Sequence, residues 1–420
     1  MALSVLQRAW KPLLRRAWRP LAFTKQSTVS IPANEKIEEE TIPGYLAARY
    51  YPVRVGEIFQ DRYQVVGKLG FGITSTVWLA RDMNECRHVA LKVYVRAEAI
   101  EDELGTEVDV YKRIAKSPSH HPGRGAVRSL FDSFILDGPN GRHQCLVHQP
   151  LWESVLAVKH RNPAGRLPAS VLAHILKRLF HALDLLHQEC HVAHTDIKEA
   201  NILLGADKSV LVQFEKDELM EPSPKKELDD GVVYVSRELG IPKEFGEPML
   251  CDFGSAVPLD DGIEHREDIQ PDVYRSPEVI LEIPWTYSVD IWNVGCMVWD
   301  AFEGEHLFTG QDPLENKYRG RAHLAEMIAL LGPPPPSLLA RAKLRDKFFS
   351  DQGEFSVGIP LPASRSLEER ETTLRATEDN NEEDRASFLR FMRKMLQWEP
   401  EQRSSARDLA EDEWILRHTT

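Results

Sequence analysis

Cysteine is scarce, five in 420 residues, and Cys86, Cys145, Cys190, Cys251 and Cys296 form no CxxC pair and are odd in number. That pattern excludes a disulfide framework and reads as reduced and intracellular. Long apolar runs are also missing. Even Val171 to Leu186 is broken by His174, Lys177, Arg178, His181 and Asp184, which argues against a membrane-spanning helix. The 15 histidines show no HExxH or comparable spacing, so no structural metal is expected. Acidic residues are absent from positions 1 to 34, which hold Arg8, Lys11, Arg15, Arg16, Arg19 and Lys25. Those are six of the 52 basic residues, so the rest of the chain carries 46 against 65 acids, a net charge of −19. Such a body argues against general nucleic-acid binding and admits basic partners.

With 42% hydrophobic residues the chain can bury a large core, in two domains or one two-lobed domain. Leu3, Leu6, Trp10, Leu13, Leu14, Ala17 and Leu21 fall on one helical face, opposite the cations, although Pro12 kinks any helix there. Three readings stand: a mitochondrial presequence, a membrane-surface or partner-binding tail, and a disordered extension punctuated by Pro12, Pro20 and Pro32. The Glu-rich stretch from Glu35 to Glu40 reads as a linker.

From Arg62 the pattern turns to β. The runs Tyr63 to Leu69 and Thr76 to Ala80 flank a turn with Gly70, Gly72 and Ser75, and His88 to Tyr94 makes a third strand. Glycines at such a turn let backbone approach phosphate closely. Lys92 stands in an apolar strand, where a buried ammonium needs an anion. Glu98 to Ile114 reads as a helix offering one; Glu107 is the first choice and Glu103 the second. Further on, His194, Asp196, Lys198 and Asn201 lie on a short polar loop after an amphipathic helix, Ala169 to Gln188. Asp196 and Asn201 there either cap and bend an ordinary helix-to-strand turn or, with Lys198, bring together the carboxylate, neutral oxygen and cation that phosphoryl transfer with Mg²⁺ needs. An apolar strand then ends at Asp252, followed by Phe253 and Gly254, whose carboxylate also suits Mg²⁺. Cys251 either lines a nucleotide pocket or fills space. Val289 to Trp299 reads as a buried helix whose Asp290 must find donors.

In that order, and with Ser276, Pro277 and Glu278 ahead of Asp290, these residues resemble a eukaryotic protein kinase from Gly70 to Arg403. Gly56 to Gly72, Ser75 to Trp78, His194 to Lys198 and Asp268 to Glu278 are most similar to the SR-protein kinases, particularly their fungal relatives. The resemblance implies an α+β, two-lobed fold: a small β-rich lobe with one helix and a larger, mainly helical lobe. It divides the chain into a basic extension 1–34, a linker 35–54, an N-lobe 55–147, a hinge 148–152 and a C-lobe 153–420 with an insert at 206–248. It implies ATP with Mg²⁺, serine/threonine specificity and protein substrates, including the Arg/Ser-rich class. Asp196 and Lys198 are then catalytic, and Asn201 and Asp252 hold metal. Leu69, Gly70, Gly72, Ser75, Val77, Ala90, Lys92, Glu107 and Leu151 cradle nucleotide. Leu151 takes adenine because Pro150 lacks an N–H. Glu278, Asp290 and Arg403 are structural, Glu278 pairing with Arg403. A monomer in cytoplasm and nucleus is implied, with mitochondria the alternative.

The chain departs from the family pattern in three places. Ser75 replaces a third glycine. Thr195 stands where many kinases carry an arginine that pairs with a phosphate, so activation by phosphorylation there is not expected. Between His306 and His323, Asp312 and Glu315 are answered by Lys317, Arg319 and Arg321, a local charge of about +1, where the family holds arginine-rich substrates in an acidic groove. A pseudokinase scaffold is disfavoured because Lys92, Asp196, Asn201 and Asp252 are all present. A small-molecule phosphotransferase would not carry Ser276 to Glu278, Asp290 and Arg403 together.

Overall fold

The computed structural model describes residues 17–23, 29–96, 101–228, 231–260, 262–374 and 382–419, with the side chains of 101–104 excepted. Most of the basic amphipathic start therefore lies outside the described residues. The chain forms two compact units, one of residues 1–100, 130–150 and 206–244, the other of 101–129, 151–205 and 245–420. The insert expected in the C-lobe thus groups with the β-rich unit as far as residue 244, and the helix after Lys92 groups with the helical one.

The first unit is built on a six-stranded antiparallel sheet, β1 (Ile58–Phe59), β2 (Tyr63–Phe71), β3 (Ser75–Asp82), β4 (Arg87–Arg96), β5 (Leu130–Gly138) and β6 (Gly141–His148), in the order β1-β2-β3-β4-β6-β5. Val65, Trp78, Ala80, Val89, Leu91, Val93 and Val147 form its core, joined by Val232 and Tyr234 from the insert. Alternating Val, Leu and aromatic residues favour these strands because each pleat face meets a packed neighbour.

The insert is folded. Its helix Lys208–Met220 is capped by Asp207, which accepts from the Ser209 N–H, and leads to a hairpin, Lys225–Leu228 with Gly231–Tyr234. Gly67 explains the fit: a Cβ there would lie 2.8 Å from Glu218 Cγ and 2.9 Å from the Phe214 ring, so β2 accepts this helix only with glycine.

The Glu-rich segment read as a linker is also part of this unit. Glu38–Thr41 makes one 3₁₀ turn, and each of its three glutamates is partnered, Lys68 lying beside both Glu38, at 3.4 Å, and Glu39. Buried Lys68 donates to Glu39 and, at 3.0 Å, to the Tyr234 carbonyl. Lys226 donates to Glu40 at 2.9 Å and to the Glu35 carbonyl at 2.8 Å. Ser236 donates to Glu38 through its N–H, 3.0 Å, and its hydroxyl, 2.6 Å. Burying charge without such partners costs several kcal/mol per ion, so composition alone suggested a solvated stretch. Further upstream, Leu21 exchanges two hydrogen bonds with the Gln64 amide, at 2.8 and 2.9 Å, and Trp18 lies 4.5 Å under the Arg81 guanidinium.

The second unit is helical. Its central helix, Ser288–Glu303, is buried at every position from Val289 on. Helices Ala169–Asp184, Glu382–Met395 and Glu413–Thr419 belong to the same unit, with Trp414 packed on Phe302, Phe388 and Phe391. A small sheet, ordered Pro248–Leu250, Ile202–Gly205, Leu151–Ser154, and a two-residue pairing of Val192–Ala193 with Val257–Pro258 flank the polar loop. The charged segment 361–384, which composition suggests is an exposed loop, is partly anchored. Leu367–Arg370 is a capped helical turn, and buried Glu371 meets Arg385 at 2.6 Å. No helix among the described residues is long and apolar enough to cross a membrane.

Candidate active site

The polar loop is hung from the central helix. Asp290, fully buried, accepts the N–H groups of His194 and Thr195, each at 2.8 Å, and sits 2.9 Å from His187 Nε2. Burial alone would raise its carboxyl, but the bond and charge of His187 and the His194 amide outweigh burial and hold it below the usual range. This buried acceptor draws the loop tight. His191 and Thr195 take φ of 54° and 66°, a left-handed backbone that is strained for a β-branched threonine. Thr195 is held there by its hydroxyl, which donates to the Ser255 carbonyl at 2.6 Å. Sequence reasoning saw in Thr195 only a missing arginine; the structure gives it a bond between the loop and the segment after Asp252.

His194 braces the loop. Its Nδ1 accepts the Asp196 N–H at 3.3 Å, which leaves the proton on Nε2 to donate to the Cys251 carbonyl at 3.1 Å. Cys251 is itself buried, with its N–H on the Asn201 carbonyl at 2.9 Å.

The polar side chains of the loop converge on Asp196. Lys198 Nζ lies 2.9 and 2.7 Å from its two carboxylate oxygens, and the Asn201 amide donates to Oδ2 at 2.8 Å and to the Asp196 carbonyl at 2.9 Å. With its nitrogen so engaged, Asn201 keeps its amide oxygen as an acceptor. Asp252, at φ 66°, is exposed between buried Cys251 and Phe253. Carboxylate and amide oxygens are the hard donors Mg²⁺ takes alongside substrate phosphates, so this donor set fits that ion. No cluster of three or more His, Cys, Asp or Glu suited to a metal occurs among the described residues.

Glu278 and Arg403 meet as a two-pronged pair, 2.6 and 2.7 Å, with both side chains fully buried. Arg403 also donates to the Ser288 carbonyl at 2.9 Å, the start of the central helix.

In the first unit, Gly70, Val77, Lys92 and Leu146 form one row across the sheet, and Ala90 follows two residues along β4 on the same face. Leu69, Gly70, Gly72, Val77 and Lys92 are partly open, whereas Ser75 and Ala90 are buried. Lys92 is therefore less buried than its apolar neighbours suggested. Nothing lies within 4 Å of a Cβ built on Gly70, so internal packing does not demand glycine there; the open space fits a phosphate cradle. Glu107, 2% exposed, lies on the helix Glu101–Lys116 of the second unit. The Glu103 side chain lies outside the described residues. Leu151, 5% exposed, is paired with Gly205 in the small sheet.

A second buried charge network was missed. Glu199, next to Lys198, pairs with Lys159 at 2.5 Å. Asp300, on the central helix, accepts from the Tyr274 hydroxyl at 2.6 Å and lies 2.5 Å from His306 Nδ1. Its signal was available: an acid in an otherwise apolar helix, as at Asp290. The Asp300 hydrogen bond raises the His306 pKa above 6.5, against the opposing effect of burial. The resulting stabilisation is complete below pH 6.5 and fades as pH rises through the raised value. With the ring half exposed, the effect stays below about 1 kcal/mol. Thermal melts of wild type and His306→Gln are expected to differ most near pH 6 and converge at alkaline pH. A difference independent of pH would remove the titration argument.

The fold and this loop define the class: residues 63–415 match the protein kinase domain family, and the chain belongs to it. It is a protein serine/threonine kinase, similar to a serine/threonine protein kinase of Aspergillus fumigatus, 42% identical over 385 residues and 91% of each chain. It is also similar to the serine/threonine-protein kinase SRPK of Physarum polycephalum, 30% identical over 408 residues, 90% of this chain and 91% of that one. Mouse SRSF protein kinase 3 is 24% identical over 518 residues and 90% of each chain.

Proposed function

We propose that the chain transfers the γ-phosphate of ATP to serine and threonine hydroxyls of proteins, with Asp196 as the group that orients the hydroxyl and takes its proton. The observation carrying this reading is the fixing of both Asp196 oxygens by Lys198 and Asn201 at 2.7 to 2.9 Å. A carboxylate so held needs no reorganisation when the hydroxyl arrives. Lys198 supplies positive charge beside it. Lys92 and the Gly70–Gly72 turn are assigned to the phosphates. Asn201 and Asp252 are assigned to Mg²⁺, which when bound neutralises phosphate charge. Label transfer from γ-labelled ATP, with acid hydrolysis of the product, tests this. Phosphoserine and phosphothreonine that vanish with EDTA support it; label confined to small-molecule acceptors refutes it.

The substrate reading is narrower. The relatives' names point to SR-type proteins, and we infer serines near arginine without a tight grip on long Arg-Ser repeats. Asp312 is fully buried against Arg321 at 2.5 Å, and Glu315 is ion-paired with Arg319 at 2.5 Å and Lys317 at 3.1 Å. The Arg321 bond holds the Asp312 carboxyl down to about 2, and the Arg319 bond does the same for Glu315. Acids already matched by cations offer an arginine-rich peptide little attraction. A fluorescent Arg-Ser peptide is expected to bind weakly and with little salt dependence. Tight binding that collapses as salt rises would overturn this.

A further inference from the structure

Tyr50 stands just ahead of the region matched to the family, and no role in the reaction follows from the motifs. Its hydroxyl lies 3.1 Å from the Ile73 carbonyl and 3.3 Å from the Gly72 carbonyl, at the tip of the glycine-containing turn. One proton is shared between two acceptors, so both carbonyls face the phenol. Burial, with Glu39 nearby, pushes that phenol above its ordinary value of 10.0, so it remains a donor.

The phenol is itself held from both sides along the chain. Upstream, Glu38 to Glu40 are fixed by Ser236, Lys68 and Lys226. Downstream, the Tyr51 hydroxyl donates to Glu57 at 2.9 Å, and Val53 is buried in the sheet core. The Tyr45 ring packs on Tyr50 at 5.2 Å. The tip, by contrast, is exposed, Ile73 to 69%. Tyr50 therefore ties a turn with little packing of its own to a well-anchored segment.

In a trans peptide the C=O and the following N–H point in opposite directions. Turning the Gly72 and Ile73 carbonyls toward Tyr50 thus turns the N–H groups of Ile73 and Thr74 the other way. Neither N–H has a protein acceptor among the described residues; the turn is closed instead by Gly72 N–H to the Ser75 carbonyl at 2.8 Å. Two oriented, unused amides beside glycines are the donors an anion takes.

We propose that Tyr50 is a positioning residue, whose hydroxyl orients the Ile73 and Thr74 amides toward the phosphates of bound ATP. The proposal rests on the nucleotide reading of the turn given above, and it makes the segment before the kinase domain a working part of the phosphate site.

The test is Tyr50→Phe in the full-length chain, which keeps the ring and removes one donor. Affinities for ATP, ADP and adenosine are measured with the melting temperature. Loss of one hydrogen bond's orienting effect predicts a three- to tenfold weaker affinity for ATP and ADP, roughly. Adenosine affinity and melting temperature stay unchanged, because adenosine carries no phosphate. Equal losses for ATP and adenosine, a lowered melting temperature, or no change at all would each overturn the role of Tyr50. If the wild type itself binds ATP no better than adenosine, the phosphate reading of the turn falls with it.

Discussion

Asp196→Asn lowers the rate of phosphoryl transfer by about 10²- to 10⁴-fold, the usual contribution of a positioned acid or base, and leaves ATP affinity within a factor of about two. Asparagine is the clean probe here. Its amide oxygen can occupy the Oδ2 position, where it still accepts from Lys198, at 2.7 Å in the wild type, and from Asn201, at 2.8 Å. Loop geometry therefore survives, and what disappears is the basic oxygen that takes the acceptor proton. The measurement is single-turnover transfer to a serine peptide alongside nucleotide titration. Near wild-type transfer by Asp196→Asn would sink the assignment of Asp196; a parallel loss of ATP binding would place it in nucleotide binding instead.

Arg403→Ala destabilises the protein by about 3–5 kcal/mol, because it strands a buried carboxylate. Both members of the Glu278–Arg403 pair are fully inaccessible, and Arg403 also closes the Ser288 carbonyl and lies 5.0 Å from the Trp292 ring. Replacing both charges, as in Glu278→Gln with Arg403→Met, removes the stranded ion and is expected to recover more than half of the loss. Denaturant unfolding of the two single variants and the double one measures the coupling. A single variant within about 1 kcal/mol of wild type would show that water or another donor reaches Glu278.

Much of the helical unit was legible because its chemistry is local. Asp196, Lys198 and Asn201 lie within six residues, so their spacing alone predicts one constellation. Asp290 announced itself as an acid within an apolar run, which no buried helix carries without donors. Other features were illegible because their partners lie far away in sequence. Glu39 meets Lys68, 29 residues on, and Lys226 meets Glu40 across 186 positions. A charged stretch reads as solvated until its counter-ions are placed, so Glu35 to Glu40 reads as a linker and 206–248 as an insert. Gly67 carried a usable hint, since a glycine inside a strand marks a close approach, here by Phe214 and Glu218. Thr195 shows the converse: the replaced arginine was legible, but the bond from the threonine hydroxyl to the Ser255 carbonyl, 60 residues on, was not.

The insert's share in the sheet core bears on how the protein is made. Val232 and Tyr234 pack among residues from Val53 to Val147, and the Tyr234 carbonyl accepts a hydrogen bond from Lys68. During synthesis the strands emerge first, yet their core stays open, and Lys68 short of an acceptor, until residue 234 has left the ribosome. By then the polar loop with Asp196 is already exposed. The first unit thus begins first but is completed only after the polar loop has been made, and a nascent chain must keep a half-built sheet from aggregating while some 85 further residues are added after Val147.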